Sequence, residues 1–255
     1  MKSMGEVLTA VKKQMDFFTK WQCTCINAWE SMSSFHMPLP LVSATMEGCM
    51  ESGKDVQAGG AKYNSTGNSC IGLGNLADSL NVIDYVCFQK KIATTRELYD
   101  AVMNNWEGYE ELRQTILEKV PHFGNDDDYV DDEMRWICGL YYDLCKQSTI
   151  KRGNKIIGCT GGLYGASNHV AQGYDTWATP AGRKAGEPIA DASSPAQSRD
   201  KNGPTAVFRS ETKIGQGRFM DGVAVNVRVH PTVLSREDGV QKLIQLTQTY
   251  FAQGG

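Results

Sequence analysis

The sequence lacks any apolar run that approaches the ~20 residues of a membrane-spanning helix, so we expect no membrane association. It also lacks a strong excess of charge, because the formal net charge is -3. Electrostatics therefore give no reason to expect a nucleic-acid partner. The N-terminus shows no long apolar stretch, which argues against a signal peptide and predicts a cytoplasmic protein.

Cysteine is present, but its spacing indicates neither disulfides nor a metal site. The eight cysteines are scattered, and a chain of 255 residues is long enough to form a core without disulfide staples. Cys23 and Cys25 lack the two-residue gap of a usual zinc or redox pair. We therefore predict reduced thiols and no metal site.

Helices are predicted in the first part of the chain and isolated strands in the second. Apolar residues recur at helical spacing over residues 3–33, and Thr94 with Glu97 forms a capping box before another helix. Residues 205–210 and 224–229 have the character of strands. This pattern favours an α/β fold, although the strands are too few and too scattered to close a sheet, which indicates an incomplete domain.

A glycine-rich motif stands at Gly72–Ala77 and matches G-x-G-x-x-A before a helix. A dinucleotide site needs a hydrophobic strand leading into such a motif, and the preceding residues 63–69 are polar. We therefore interpret the glycines as the means of a tight turn into a helix.

An acidic run occupies residues 126–133 and suggests calcium at first sight. Its spacing does not match an EF-hand loop, and no glycine stands at its centre. Carboxylates in the first turn of a helix favour the positive end of the helix dipole, so we predict a structural role.

Two residues invite a catalytic hypothesis. Cys49 lies in Gly48-Cys49-Met50-Glu51, where a small cysteine on a buried helical face is the interpretation we favour over a nucleophile. His169 lies in a polar loop and is a candidate acid or base. No carboxylate partner is evident nearby in sequence, so a histidine that only bonds within its loop is the alternative.

Two long, polar, glycine-rich segments indicate function more strongly than any single residue. They cover residues 53–64 and 178–206. Loops of this length on a compact scaffold usually carry binding or catalytic residues.

These loops carry a resemblance to a known family. The motifs, in order, are G-K-D (53–55), G-G-A-K-Y-N (59–64), A-D-S-L (77–80), G-N-D-D (124–127), A-T-P-x-G-R (178–183), G-E-P (186–188) and N-G-P-T-A (202–206). Over residues 38–255 the sequence resembles the C-terminal half of glycyl radical enzymes, in the pyruvate formate-lyase-like branch that includes glycerol and diol dehydratases. Several motifs in the right order are far more specific than any one of them.

The resemblance implies part of a ten-stranded α/β barrel, with helices outside and long loops that reach the interior. It assigns residues 1–37 to an N-terminal helix and linker, and residues 38–255 to an incomplete barrel segment. A glycyl radical is implied for the full-length enzyme, installed by an activating enzyme that uses S-adenosylmethionine and an iron–sulfur cluster. No directly bound cofactor is implied. The implied partners are a small-molecule substrate, the activating enzyme, and a second copy or the remaining parts of the barrel.

Two family motifs do not carry over. The R-V-x-G-Y motif of the radical glycine is not found in the sequence. The letters of the thiyl motif occur at Gly48–Glu51, but directly before G-K-D, so the thiyl role is not assigned to Cys49. Ala181 stands where A-T-P-D-G-R has aspartate. We expect this chain alone to be inactive.

The resemblance implies a set of residues that support the substrate pocket: Tyr63, Asn64, His169, Thr179 and Arg183. Arg183 would brace the glycyl radical loop, or pair with a carboxylate or hydroxyl of the substrate, since its planar fork suits both tasks. The alternatives are a non-catalytic half-barrel that binds or assembles, and one chain of a split radical enzyme. The substrate is not predictable, with a slight preference for a dehydratase.

Overall fold

The computed structural model describes residues 1–235 and 237–255. The chain divides into two compact units. The first unit comprises Met1–Leu8, Ser69–Gly139 and Gly162–Gly255, and the second comprises Thr9–Asn68 and Leu140–Gly161. The predicted boundary between residues 37 and 38 stays a prediction.

Helices account for most of the regular structure. They are α1 (Met4–His36), α2 (Pro40–Thr45), α3 (Cys49–Ser52), α4 (Leu73–Val82), α5 (Thr95–Met103), α6 (Glu110–Lys119), α7 (Asp128–Gln147), α8 (Asn168–Tyr174), α9 (Pro204–Thr212), α10 (Pro231–Leu234) and α11 (Gly239–Ala252). A π-helical segment, Ile83–Gln89, continues α4. The strands are β1 (Thr66–Ser69), β2 (Thr149–Arg152) and β3 (Lys155–Gly162). In the described ranges, no helix is both long enough and apolar enough to cross a membrane.

A three-stranded sheet of order β1-β3-β2 includes an antiparallel hairpin in the second unit. Arg152 pairs with Lys155, so the turn between β2 and β3 has two central residues. Gly153 occupies the first of them with φ +56°, and a Cβ there would lie 2.4 Å from the carbonyl oxygen of Ala58. The sharp turn and the close backbone therefore both require glycine.

A buried ion pair ties α1 to the sheet within the second unit. Glu30 is 4% exposed and accepts hydrogen bonds from Nε and Nη2 of Arg152 at 2.8 and 2.7 Å. The hydroxyl of Thr66 donates to the same carboxylate at 2.7 Å. The two-pronged geometry satisfies charges that would otherwise be costly to bury.

The apolar core of the first unit joins the α4–α6 region to the loop after α8. Its buried members are Val82, Val86, Leu98, Ala101, Trp106, Ile116, Val120, Ala178 and Ala181. Thr94 and Glu97 exchange the two hydrogen bonds of the predicted capping box at the start of α5. Because Ala178 and Ala181 belong to this core, one end of the A-T-P-x-G-R loop is anchored by hydrophobic packing.

The predicted strand at residues 205–210 is wrong. The segment lies in α9, which follows Gly203 at φ +82° and has Pro204 in its first turn. Its buried residues are Ala206, Val207, Ser210 and Glu211, which is helical spacing. Proline at the first position of a helix is a start signal that outweighs the local β-branched and aromatic character.

The predicted strand at residues 224–229 is also wrong as a paired strand. Among the described residues, the one bridge here is formed by Val223, just before the segment, parallel to Leu163, and the Ala224 N–H donates to the Leu163 carbonyl at 2.8 Å. Burial still alternates along residues 226–230 as the sequence indicated. A strand is defined by its neighbour, and among the described residues this segment gains a neighbour only at its first position.

The glycine motif and the acidic run have the structural roles predicted for them. Gly72 precedes α4 with φ +82°, and a Cβ on Gly74 would lie 2.8 Å from the carbonyl oxygen of Ser194. In the acidic run, Asp127 caps α7 through the N–H of Tyr129 at 3.0 Å. The ammonium group of Lys213 contacts three other carboxylates of the run at 2.7–2.8 Å, those of Asp126, Asp128 and Asp131.

Candidate functional site

The predicted site residues fall into both units. Tyr63 and Asn64 belong to the second unit, and His169, Thr179 and Arg183 to the first. Within the first unit the three residues lie on or beside one continuous stretch that runs from α8 to α9. That stretch therefore contains the candidate site residues of the first unit.

Tyr63 and Asn64 follow the G-G-A-K segment in an irregular loop. The Tyr63 side chain is largely exposed, and the ammonium group of Lys62 lies 5.5 Å from its ring centroid. Asn64 donates from Nδ2 to the Ala61 carbonyl at 2.6 Å. Its Oδ1 is buried and accepts no hydrogen bond from the described residues. The Asn64 side chain is thus fixed through its Nδ2, whereas its Oδ1 acceptor has no donor among the described residues.

His169 lies in the first turn of α8 and faces a carboxylate that sequence inspection did not find. Its Nδ1 is 3.2 Å from Oδ1 of Asp191, and both side chains are 17% exposed. Gly165 permits the approach, because a Cβ there would lie 2.9 Å from the same oxygen. Neither Nδ1 of His169 nor Oδ1 of Asp191 has a hydrogen-bond partner among the described residues, so Asp191 acts on the ring as a nearby negative charge, and Nε2 is left to exchange protons.

Asn226 completes this polar group from the extended segment after Val223. Its Nδ2 donates to Oδ2 of Asp191. Its backbone N–H donates to the Ser194 hydroxyl at 3.0 Å. The neighbouring Ser193 hydroxyl donates to the Ala224 carbonyl at 3.1 Å. We call His169, Asp191 and Asn226 the His169 triad, in which Oδ2 of the carboxylate accepts a hydrogen bond from Asn226 and Oδ1 lies close to His169 without a hydrogen bond.

Arg183 is held by the backbone of its own loop. The side chain is 5% exposed, and its two terminal nitrogens donate to four carbonyls at 2.6–2.9 Å, those of Thr176, Trp177, Lys184 and Glu187. Burial lowers the pKa of the guanidinium from its ordinary value. The Arg183 side chain therefore stabilises the conformation of its own loop, and it would affect a substrate only through the shape of that loop.

Thr179 opens the turn that ends at Arg183. Its N–H donates to the Arg183 carbonyl at 3.0 Å, and the Gly182 N–H donates to the Thr179 carbonyl at 3.1 Å. The Thr179 hydroxyl oxygen is buried without a partner among the described residues. Thr179 and Arg183 are therefore adjacent parts of one closed turn.

Cys49 lies outside the His169 triad, in the second unit. It is 2% exposed at the start of α3. The Gly48 N–H donates to the Glu51 carboxylate at 2.9 Å, which closes the first turn of that short helix. Both Gly48 and Glu51 are engaged in local structure around the cysteine.

Asp191 and Asn226 are the site residues that motif reading missed. Asp191 follows G-E-P in a stretch without periodicity, and Asn226 stands between two valines in the extended segment. A polar side chain inside an alternating apolar stretch was the only available signal for Asn226. The partnership with His169 is tertiary and has no signature in sequence spacing.

Comparison with known proteins identifies the family. The pyruvate formate lyase-like family description matches residues 1–173, and the glycine radical description matches residues 189–255. The chain belongs to the pyruvate formate lyase-like glycyl radical enzymes. The family predicted from the ordered loop motifs is thus confirmed.

Relatives in this glycyl radical enzyme family include dehydratases. The chain is 34% identical to (2S)-3-sulfopropanediol dehydratase of Klebsiella oxytoca, over 99% of this chain and 31% of that protein. It is likewise 34% identical to trans-4-hydroxy-L-proline dehydratase of Clostridioides difficile, over 99% of this chain and 32% of that protein. The chain therefore spans about a third of the length of these relatives.

A solved structure shows the same fold over the whole chain. The glycerol-bound form of the B12-independent glycerol dehydratase from Clostridium butyricum superposes with a TM-score of 0.94 at 35% identity. The match covers 100% of this chain and 32% of that one. The α/β arrangement described above is therefore that of a segment of a glycyl radical enzyme.

Proposed function

We propose that this chain is a segment of a glycyl radical dehydratase or related lyase, in which its loops form part of the wall around a small-molecule substrate. The main support for this proposal is that nearly the whole chain matches dehydratases in sequence and the whole chain matches one in structure. The slight preference for a dehydratase that the sequence motifs indicated is supported by these relatives.

We further propose that these elements belong to a ten-stranded α/β barrel with its helices outside. The segment after Val223 supports this, because its burial alternates but it has a neighbour only at the first position among the described residues. An extended segment of that kind suits a strand whose partner lies elsewhere in the enzyme. A homodimer, the activating enzyme and a cytoplasmic location stay predictions.

The glycyl radical of the full-length enzyme would supply hydrogen abstraction. The sequence holds no R-V-x-G-Y motif, so no radical step is assigned to its residues. The role left for the residues of this chain is to transfer protons and to position the group that transfers them. Loss of a hydroxyl group as water requires a proton donor, and an imidazole close to a carboxylate is suited to that task. We propose His169 for this role, with Asp191 and Asn226 as positioning residues.

The experiment uses the full-length protein, treated with its activating enzyme and S-adenosylmethionine. Electron paramagnetic resonance would quantify the glycyl radical, and turnover would be followed on small vicinal diols and hydroxylated amino acids. We expect His169→Gln to lower kcat by about 100-fold or more, the usual range for a lost acid or base, with radical yield unchanged. Asp191→Asn should shift the pH–rate profile.

The exposed His36 gives a matched control, since it lies at the end of α1. His36→Gln should leave kcat unchanged. A normal kcat in His169→Gln would remove the proton-transfer role alone. Failure of the wild-type protein to form a radical, or to turn over any substrate of these classes, would contradict the proposed function itself.

The alternatives from the sequence, a non-catalytic binding module and one chain of a split enzyme, are separated by the flanking coding sequence. Thiyl and R-V-x-G-Y motifs in the same reading frame support a single enzyme. Their presence in a neighbouring gene supports the split enzyme, and their absence from the whole locus supports the binding module.

A further inference from the structure

A cavity of about 280 Å³ lies in the first unit, apart from the His169 triad. It is bordered by α4, α6 and the loop residues between 181 and 199. Its charged lining consists of Arg113, Arg183, Arg199, Asp78 and Glu187. Since a water molecule occupies roughly 30 Å³ in the liquid, the cavity has room for a small polyatomic ion with some hydration.

The three guanidinium groups are not paired with the two carboxylates. Among residues 1–235 and 237–255, none of the three has a carboxylate oxygen within 4.0 Å. Burial lowers the pKa of Arg199, the charges of Asp78 and Glu187 partly offset this effect, and the charge of Arg113 adds to it. The two carboxylates of the lining offset part of this charge at longer range, but three guanidinium groups against two carboxylates leave a positive excess that favours an anion in the cavity.

The three guanidinium groups differ in how many of their N–H donors have no hydrogen-bond acceptor in the described part of the chain. Both terminal nitrogens of Arg183 are used by backbone carbonyls. Arg113 uses only Nε, which donates to the Gly182 carbonyl at 2.8 Å. In the described part of the chain, the Arg199 side chain makes no hydrogen bond with protein. Arg113 and Arg199 therefore have free terminal nitrogens, whereas Arg183 has only its buried Nε without a partner among the described residues.

Each carboxylate accepts a hydrogen bond from one backbone N–H. Asp78 accepts from the Phe123 N–H at 2.7 Å through Oδ1, and its Oδ2 is 3.3 Å from Nδ1 of His122. Glu187 accepts from the Lys184 N–H at 3.0 Å. These contacts hold both acids in place on the cavity wall without a close arginine contact, and the formal charge of the lining is positive.

We propose that this cavity binds a small oxyanion, a carboxylate, phosphate or sulfate group, between the forks of Arg113 and Arg199. Planar guanidinium groups match the paired oxygens of such anions, and each contact is charge-assisted. Arg183 shapes the wall through its loop. Binding requires neither a radical nor a substrate, so its failure would leave the proposed function untouched.

The experiment is isothermal titration calorimetry on the full-length protein at low ionic strength, with inorganic phosphate, sulfate and acetate as separate probes and chloride as the reference. We expect saturable binding of at least one oxyanion with a single site per chain. Arg199→Gln should weaken it by about tenfold or more. Arg199→Lys should weaken it less, because lysine keeps the charge but loses the fork.

Arg209 gives the matched control, since it is exposed and paired with Asp126 in the same unit. Arg209→Gln should bind as the wild type does. If Arg199→Gln does not fold, Arg113→Gln and Arg199→Lys carry the test. Absence of saturable binding for all three oxyanions, or equal affinity in the wild type and in the Arg113 and Arg199 variants, would overturn the proposal.

Discussion

Replacement of Arg183 tests whether one guanidinium holds the A-T-P-x-G-R loop closed. Arg183→Met removes all four hydrogen bonds to carbonyls but keeps much of the apolar stem. Arg183→Lys keeps the positive charge but carries all its donors on one nitrogen. That nitrogen cannot reach all four carbonyls, because in the wild type they are divided between two guanidinium nitrogens. We therefore expect a graded series in which the methionine variant is the more severe.

The magnitude follows from the number of bonds lost. A hydrogen bond within a protein contributes about 0.5–1.5 kcal/mol net, so four of them contribute about 2–6 kcal/mol to keeping the loop closed. Thr176 and Lys184 are half-buried and Trp177 and Glu187 exposed, so water would replace part of the loss and the lower half of that range is expected. The lysine variant should lose about 1–3 kcal/mol.

Hydrogen–deuterium exchange measured by mass spectrometry is the appropriate assay, because the effect is local. The reporting amides are those of Thr179, Gly182 and Gly186, which close the turn and the loop. Since 1.4 kcal/mol is a factor of ten, we expect these amides to exchange roughly 20-fold faster or more in Arg183→Met. Helix α5 should be unaffected. Unchanged exchange at the three amides would refute the assigned role of Arg183.

Two further predictions concern buried carboxylates. Burial opposes ionisation of Glu30, but hydrogen bonds from Arg152 and Thr66 outweigh burial and lower the pKa of Glu30. The contribution of this ion pair to the stability of the fold is therefore complete above pH 4.5 and is lost as the pH falls further. Arg152→Met should cost about 3–5 kcal/mol in urea unfolding at pH 7, and Glu30→Met combined with Arg152→Met should recover most of it; a double variant as unstable as the single would contradict this. Burial raises the pKa of Glu211 to about 8, so stability should fall as pH rises from 4.5 to 8. Glu211→Gln should flatten that part of the melting-temperature profile, and an unchanged profile would rule out Glu211 as its source.

Local chemistry explains which parts of the fold could be predicted. The helix starts at Thr94 and Asp127 are fixed by bonds between residues a few positions apart, so their signals are complete in sequence. The start of α9 also has a local signal in Gly203-Pro204, which outweighs the strand-like composition of residues 205–210. The segment at 224–229 is different, because strand pairing depends on a distant neighbour that no local pattern reveals.

The candidate site shows the same division. His169 was predicted from its polar loop, but its chemistry depends on Asp191 and Asn226, which the fold brings to it from separate stretches. Arg183 was predicted from a motif, yet four backbone carbonyls claim its donors, and a motif cannot reveal that use. The sequence therefore predicted which segments contain the candidate site residues, but the role of each residue depends on tertiary contacts that only the structure shows.

Ala181 makes this point for the loop as a whole. It replaces the aspartate of the family motif, and the structure buries it at 4% exposure in the apolar core with Ala178 and Trp106. The turn around it is closed by the backbone of Thr179, Gly182 and Arg183, and none of those bonds involves the side chain at position 181. The loop can therefore keep its hydrogen bonds when the aspartate is absent, because position 181 contributes packing while Arg183 supplies the polar contacts.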